Sequence, residues 1–300
     1  MKRMLQFSFT TFCIGAWLFL ASWGSVPSLI VPHFPYDLHT KAHEHLAIHV
    51  LDFNQPLRGV PHYYRAALTA KHPHYYYQKM ASLYVVAKMP LQALAAINKA
   101  LETAPQNEAL LYQKANLLHL LQQNEVAIEV IQTLIQSHPK NGQYYFDMGF
   151  WYAELNQFKA SAEATKKGLD LGVQTAMAYN NYGYALTHLG RYKEAELAIN
   201  EALKREGKSP TPATLDSKGY ILFKQGKYLE ALNWYDKALK VDATLAEVYF
   251  HKGEAFEALG RKAEAIQAYN DFIRTAGSVP LLEEAVRRVK RLRETLSAIK

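Results

Sequence analysis

The densest run of side chains able to do chemistry is LHTKAHEHLAIHV, residues 38–50. His39 and His43 are four apart, as are His45 and His49. On a helix each pair shares one face, a spacing at which two imidazoles can hold a metal. The helical phase between His43 and His45 turns through about 200°, so the two pairs point to different sides and cannot share an ion. Eight of the twelve histidines lie between positions 33 and 74. The expected role of this run is a solvated or packing helix, with metal binding or pH sensing as the alternative. Elsewhere the chain has no Gly-rich phosphate loop, no CxxC pair, no G-x-S-x-G elbow and no H-E-x-x-H. The single cysteine, Cys13, lies in an apolar segment, which leaves the rest of the chain without disulfide chemistry. No catalytic residue, metal site, cofactor or small-molecule substrate is expected.

What the chain does repeat is a helix. GRYKEAELAINEAL at 190–203, GKYLEALNWYDKAL at 226–239 and GRKAEAIQAYNDFI at 260–273 are versions of one segment. Ala81, Ala115, Gly149 and Gly183 stand 34 residues apart, and after a two-residue slip the series resumes at Gly219 and Gly253. Twelve residues after each comes another small residue: Ala93, Ala127, Ser161, Ala195, Ala231 and Ala265. A fixed period of this length signals a solenoid of helix–turn–helix units rather than one globular core. Small residues are needed where two helices cross closely. Glycines at 190, 226 and 260 sit between the two helices of their units, and Pro73, Pro105 and Pro139 are read as stops after the second helix.

The pattern resembles the tetratricopeptide repeat (TPR) family. Its W-x2-L-G-x2-Y, A-x3-F and P signature is met by Tyr145, Met148, Gly149 and Tyr152, or by Ala93, Ile97 and Pro105. Six units fit in register: 74–107, 108–141, 142–175, 176–209, 212–245 and 246–279, about two thirds of the chain. Residues 33–73 read as a His-rich helical segment, within which an earlier, degenerate unit is suggested in 38–73 by HYYRAALTAKHP, although Pro56, Gly59 and Pro61 interrupt it. The resemblance implies an all-α, right-handed superhelical solenoid whose first helices line a concave groove for a peptide segment or helix of a protein partner. Carried over position by position, the family's groove residues are here Tyr75, Gln78, Tyr112, Asn116, His119, Phe146 and Phe150. In the later units they are Asn180, Tyr184, His188, Asp216, Tyr220, Phe223, Lys224, Phe250, Glu254 and Glu257. The partner-binding set drawn from these is Tyr112, Asn116, Phe146, Phe150, Asn180, Tyr184, Asp216, Tyr220, Phe223 and Phe250. The carboxylate clamp of chaperone-binding relatives is matched only at Asn181, so chaperone tails are not the expected ligand.

The two ends differ in kind. Lys2 and Arg3 are followed by no Asp, Glu, Lys or Arg until Asp37, and FCIGAWLFLA at 12–21 is strongly apolar. Residues 1–32 therefore read as a signal peptide or a signal anchor, with the remainder exported. The residues before Cys13, TTF, do not suit lipidation. At the other end 280–300 reads as a capping helix: Leu281, Ala285, Val289, Leu292, Leu296 and Ile299 form one apolar stripe. Six basic and three acidic residues in 283–300 carry much of the +7 net charge. Without a basic face along the repeats, nucleic acid is not an expected partner. The function expected is a non-enzymatic scaffold of the cell envelope, membrane-anchored or periplasmic, that supports assembly of a complex. The alternative is an accessory subunit of an envelope enzyme acting on cell wall or polysaccharide.

Overall fold

A computed structural model describes residues 40, 41, 43, 44, 56–276 and 281–297. The apolar segment at 12–21, and with it the signal or anchor reading, lies outside the described residues. So do His39, His45, His49 and Ile299. Among the described residues no helix is long and apolar enough to cross a membrane. The described elements are all helical, and the chain divides into two compact units at Ser137 and His138.

The first unit contains α1 (Pro56–Thr69), α2 (Pro73–Val86), α3 (Pro90–Thr103), α4 (Glu108–Leu120) and α5 (Asn124–Ser137). Pro56, Gly59 and Pro61 do not break α1; it is one helix of 14 residues. Its buried face explains why: Gly59, Tyr63, Ala66 and Ala67 are buried, the last three in one core with α2, and burial there outweighs the hydrogen bond lost at Pro61. Gly59 is also the member of the small-residue series that precedes Ala93 by 34. Pro73 likewise opens α2 rather than closing what precedes it, because proline at the first helical position gives up an N–H that has no intrahelical acceptor.

The second unit contains α6 (Gly142–Glu154), α7 (Phe158–Asp170), α8 (Ala176–His188), α9 (Tyr192–Glu206), α10 (Pro212–Lys224), α11 (Tyr228–Val241), α12 (Ala246–Ala258), α13 (Lys262–Thr275) and α14 (Leu281–Ser297). Thr175 and Thr211 cap α8 and α10 by accepting the backbone N–H three residues on. Consecutive helices pack in pairs, and alternate helices α6, α8, α10 and α12 touch one another in turn.

The close approach within pairs rests on glycine. A Cβ added to Gly219 would lie 2.5 Å from the Tyr235 ring, and one added to Gly253 would lie 2.4 Å from the Tyr269 ring. Both tyrosines are fully buried, so each ring occupies the space its facing glycine leaves. The turns between paired helices repeat as regularly. Lys88, Gln122 and Asn156 have φ of 58°, 60° and 57°, and Gly190, Gly226 and Gly260 take the same place with φ of 72°, 77° and 72°. At each, the following N–H reaches back to the carbonyl five residues before it, as in Gln123 to Leu118 and Lys227 to Leu222, both 2.9 Å.

Helix α14 seals the last pair. Ala285, Val289 and Leu292 are buried against Phe250, Tyr269 and Phe272, while Leu296 remains 36% exposed.

Candidate partner-binding face

In the first unit several of the carried-over residues are hydrogen-bonded to neighbouring residues. Gln78 Nε2 donates to Gln113 Oε1 at 3.1 Å, joining α2 to α4. Asn116 Nδ2 donates to the Tyr112 carbonyl at 3.0 Å, one turn back on α4. His119 Nδ1 lies 2.9 Å from Asn124 Oδ1, tying the end of α4 to the start of α5. Tyr75 donates to Glu44 at 3.4 Å, and His43, from the histidine-rich run, is buried with its ring 5.7 Å from that of His62. Among the described residues no three His, Cys, Asp or Glu side chains gather as a metal would require.

The second unit assembles a row of rings. Phe158 and His188 stack at 3.9 Å with their planes 7° apart. Tyr184 meets His188 edge-on at 4.6 Å, and His188 lies 5.5 Å from Tyr220. Tyr220 continues to Phe223 at 6.3 Å and to His251 at 5.0 Å. Tyr184 is 37% exposed, Tyr220 and Phe223 are half-buried, and the Lys224 ammonium lies 5.0 Å from the centre of the Tyr220 ring. Such rings offer large contact area at low entropic cost. Spacing explains the row: Tyr184 and His188 are one turn apart on α8, and Tyr220, Phe223 and Lys224 share one face of α10.

Polar groups are set among the rings. His251 Nδ1 is 2.9 Å from Asp216 Oδ1. Burial alone would lower the His251 pKa, but the carboxylates of Asp216, Glu254 and Glu247 outweigh it and hold it above the ordinary value. His188 is shifted down, first by burial and then by Lys224 and His251. The Tyr220 hydroxyl is pushed up to about 12 by burial and by Glu254 and Asp216. Asn180 is half-buried on α8, and its Oδ1 is buried without a hydrogen-bond partner.

Two of the residues carried over to this face are core instead. Phe146 is buried with Leu169 and Ala178 among α6, α7 and α8. Phe250 is 4% exposed, packed on Tyr269 and Phe272 at 5.4 and 5.3 Å and overlain by the Arg288 guanidinium. Arg288 and Arg291 also bind Glu254 and Glu257, so α14 covers this end of the face. Phe150, by contrast, is 38% exposed. Phe158 and His251 are additions the carry-over did not supply. Phe158 had a signal, since Phe158, Tyr192 and Tyr228 each precede the small residue of the second helix by three. His251 had none within its own repeat, because its partner Asp216 stands 35 residues earlier.

A TPR repeat model matches residues 219–260, and tetratricopeptide repeat models match 152–210 and 246–277. The chain is a tetratricopeptide repeat protein. This TPR protein is similar in fold to a tetratricopeptide repeat protein from Parabacteroides merdae, with a TM-score of 0.70 at 15% identity over 84% of this chain and 99% of that one. The APC/C hetero-tetramer Cut9-Hcn1 gives 0.64 at 16% identity, covering 88% of this chain and 50% of that one. Yeast Tom70 gives 0.55 at 16%, covering 87% and 60%. No curated protein matches the TPR chain in sequence. At these identities the likeness to solved structures is one of fold, and together with the matching repeat models it supports a protein–protein interaction scaffold.

Proposed function

We propose that this TPR protein is a non-enzymatic scaffold that holds a peptide segment or helix of a protein partner on the ring-lined face of its second unit. The observation that carries the reading is the unbroken row Phe158, His188, Tyr184, Tyr220 and Phe223, presented on α7, α8 and α10 with Tyr184 open to solvent. Rings that served only to pack helices would be covered as Tyr235 and Tyr269 are. The relative in the hetero-tetramer Cut9-Hcn1 works within an assembly, which agrees with such a role. We further propose that the scaffold acts at the cell envelope, on the strength of Lys2, Arg3 and the apolar segment that follows.

Affinity capture from an envelope extract, with the full chain and with a Tyr184→Ala, Tyr220→Ala, Phe223→Ala variant of unchanged helicity, tests the first proposal. A partner held by the parent and lost by the variant supports it; identical captures overturn it. Protease accessibility in intact and permeabilised cells tests the second. Protection that persists after the outer barrier is opened would place the repeats in the cytoplasm and defeat it.

A further inference from the structure

Arg288 demonstrates what the second unit accepts between its rings. Its guanidinium lies 5.4 Å from the Phe250 ring centre and 5.7 Å from that of Tyr269. It bonds to Glu284 at 2.7 Å, Glu257 at 3.1 Å, Glu254 at 3.3 Å and the Tyr269 hydroxyl at 3.0 Å. That hydroxyl in turn donates to Glu257 at 2.9 Å. The arrangement is a cation held by aromatic faces and carboxylates together.

One 34-residue period earlier, Phe250, Glu254, Glu257 and Tyr269 correspond to Asp216, Tyr220, Phe223 and Tyr235. Rings and a carboxylate are again interleaved, but the place of Arg288 is taken by Glu254. The consequence is visible at Tyr235, which is fully buried and whose hydroxyl has no hydrogen-bond partner. Its ring lies 5.8 Å from that of His251, whose Nδ1 meets Asp216. A buried hydroxyl left unpaired is costly, and at Tyr235 both partners of Tyr269 are missing: the donor Arg288 is replaced by Glu254 and the acceptor Glu257 by Phe223. Glu247, exposed at the start of α12, adds a third carboxylate whose charge reaches Tyr184 and His251. The chain's own Lys224 already sets an ammonium 5.0 Å from the centre of the Tyr220 ring.

We propose that the partner segment carries an arginine or lysine that lies against Tyr184 and Tyr220, between the carboxylates of Asp216 and Glu247. The inference rests on the scaffold reading above and names the chemistry it selects. Asp216 is engaged by His251 and Glu254 by Arg288, so the exposed Glu247 is the carboxylate that would repel a C-terminal carboxylate, a phosphate or an anionic lipid at this place. A cation gains both the ring faces and the carboxylates, which sets its register along the face.

The test uses the full chain and terminally blocked peptides of one apolar frame bearing a central Arg, Lys, norleucine or Glu, followed by fluorescence anisotropy. The Arg and Lys peptides are expected to bind about tenfold more tightly than the norleucine peptide, and the Glu peptide more weakly still. Glu247→Gln alters only an exposed side chain, and with Asp216→Asn it should abolish that preference. If all four bind equally and Tyr184→Ala with Tyr220→Ala abolishes binding, the face is a binding site but the cation inference is wrong. If the Glu peptide binds best, or none binds, the inference is likewise overturned, while the scaffold reading still stands or falls on capture of its natural partner.

Discussion

His251 and Asp216, 35 residues apart in sequence, meet at 2.9 Å and join α12 to α10 through one hydrogen bond. Because Asp216 favours the imidazolium, the His251 pKa lies above the ordinary 6.5 despite burial. The pair therefore stabilises the folded unit most below pH 6.5, and that contribution is lost as pH rises through the raised folded value. In Asp216→Asn only burial and the more distant Glu254 and Glu247 remain to set it, so the His251 Cε1–H resonance should titrate at lower pH than in the parent. An unchanged midpoint would mean that Asp216 does not govern it.

His188 moves the other way. Burial beneath the Phe158 ring, with the charges of Lys224 and His251 nearby, favours its neutral form and lowers its pKa below 6.5. Its contribution is present above pH 6.5 and is lost as pH falls through the lowered folded value. Lys224→Met removes one of the two charges, and the same resonance experiment should show the His188 midpoint rise. A fall, or no movement, would contradict the placement of Lys224 beside the ring row.

The parts of this structure legible in sequence are those fixed within one repeat. Gly219 and Gly253 announced close helix crossings because no other residue fits opposite Tyr235 and Tyr269. The parts that were not legible depend on what lies next door. Phe250 occupies a position that faces outward in the family pattern, yet here α14 lays Arg288 over it. Phe146 is enclosed by Leu169 and Ala178 of the following helices. His251 joined the ring row only once α10 supplied Asp216, a pairing that no spacing within a single unit encodes. In α1, prolines that suggested interruption were overruled by the packing of Tyr63, Ala66 and Ala67.

The turn between paired helices offers a gain in stability. Gln122 has φ of 60°, in the left-handed region where its side chain costs about 1–2 kcal/mol and glycine costs little. Gln122→Gly also frees the unfolded chain, which returns about 0.4–1 kcal/mol of that gain. The net expectation is a stabilisation of about 0.5–1 kcal/mol, seen as a higher urea midpoint at unchanged slope. The reverse change, Gly226→Ala, meets nothing within 4 Å at φ of 77°, so its cost of about 1 kcal/mol should be conformational alone. Equal midpoints for both variants and the parent would show that the turn is not held in this conformation in solution.

Gly253→Ala probes the crossing of α12 and α13. In a solvent-exposed helix this change stabilises by about 1 kcal/mol through helix propensity. Here the new methyl would lie 2.4 Å from the Tyr269 ring, which cannot withdraw because its hydroxyl is tied to Glu257 and Arg288. Overpacking of this kind costs about 1–3 kcal/mol, and the shift of Tyr269 also disturbs the Arg288 bonds that seat α14. A net loss of about 1–2 kcal/mol is therefore expected. Hydrogen exchange should locate the loss in α12, α13 and α14, with α6 and α7 unaffected, since each repeat contacts only its neighbours. If Gly253→Ala raises stability instead, the helix-propensity term has won and the two helices do not cross as closely as 2.4 Å implies.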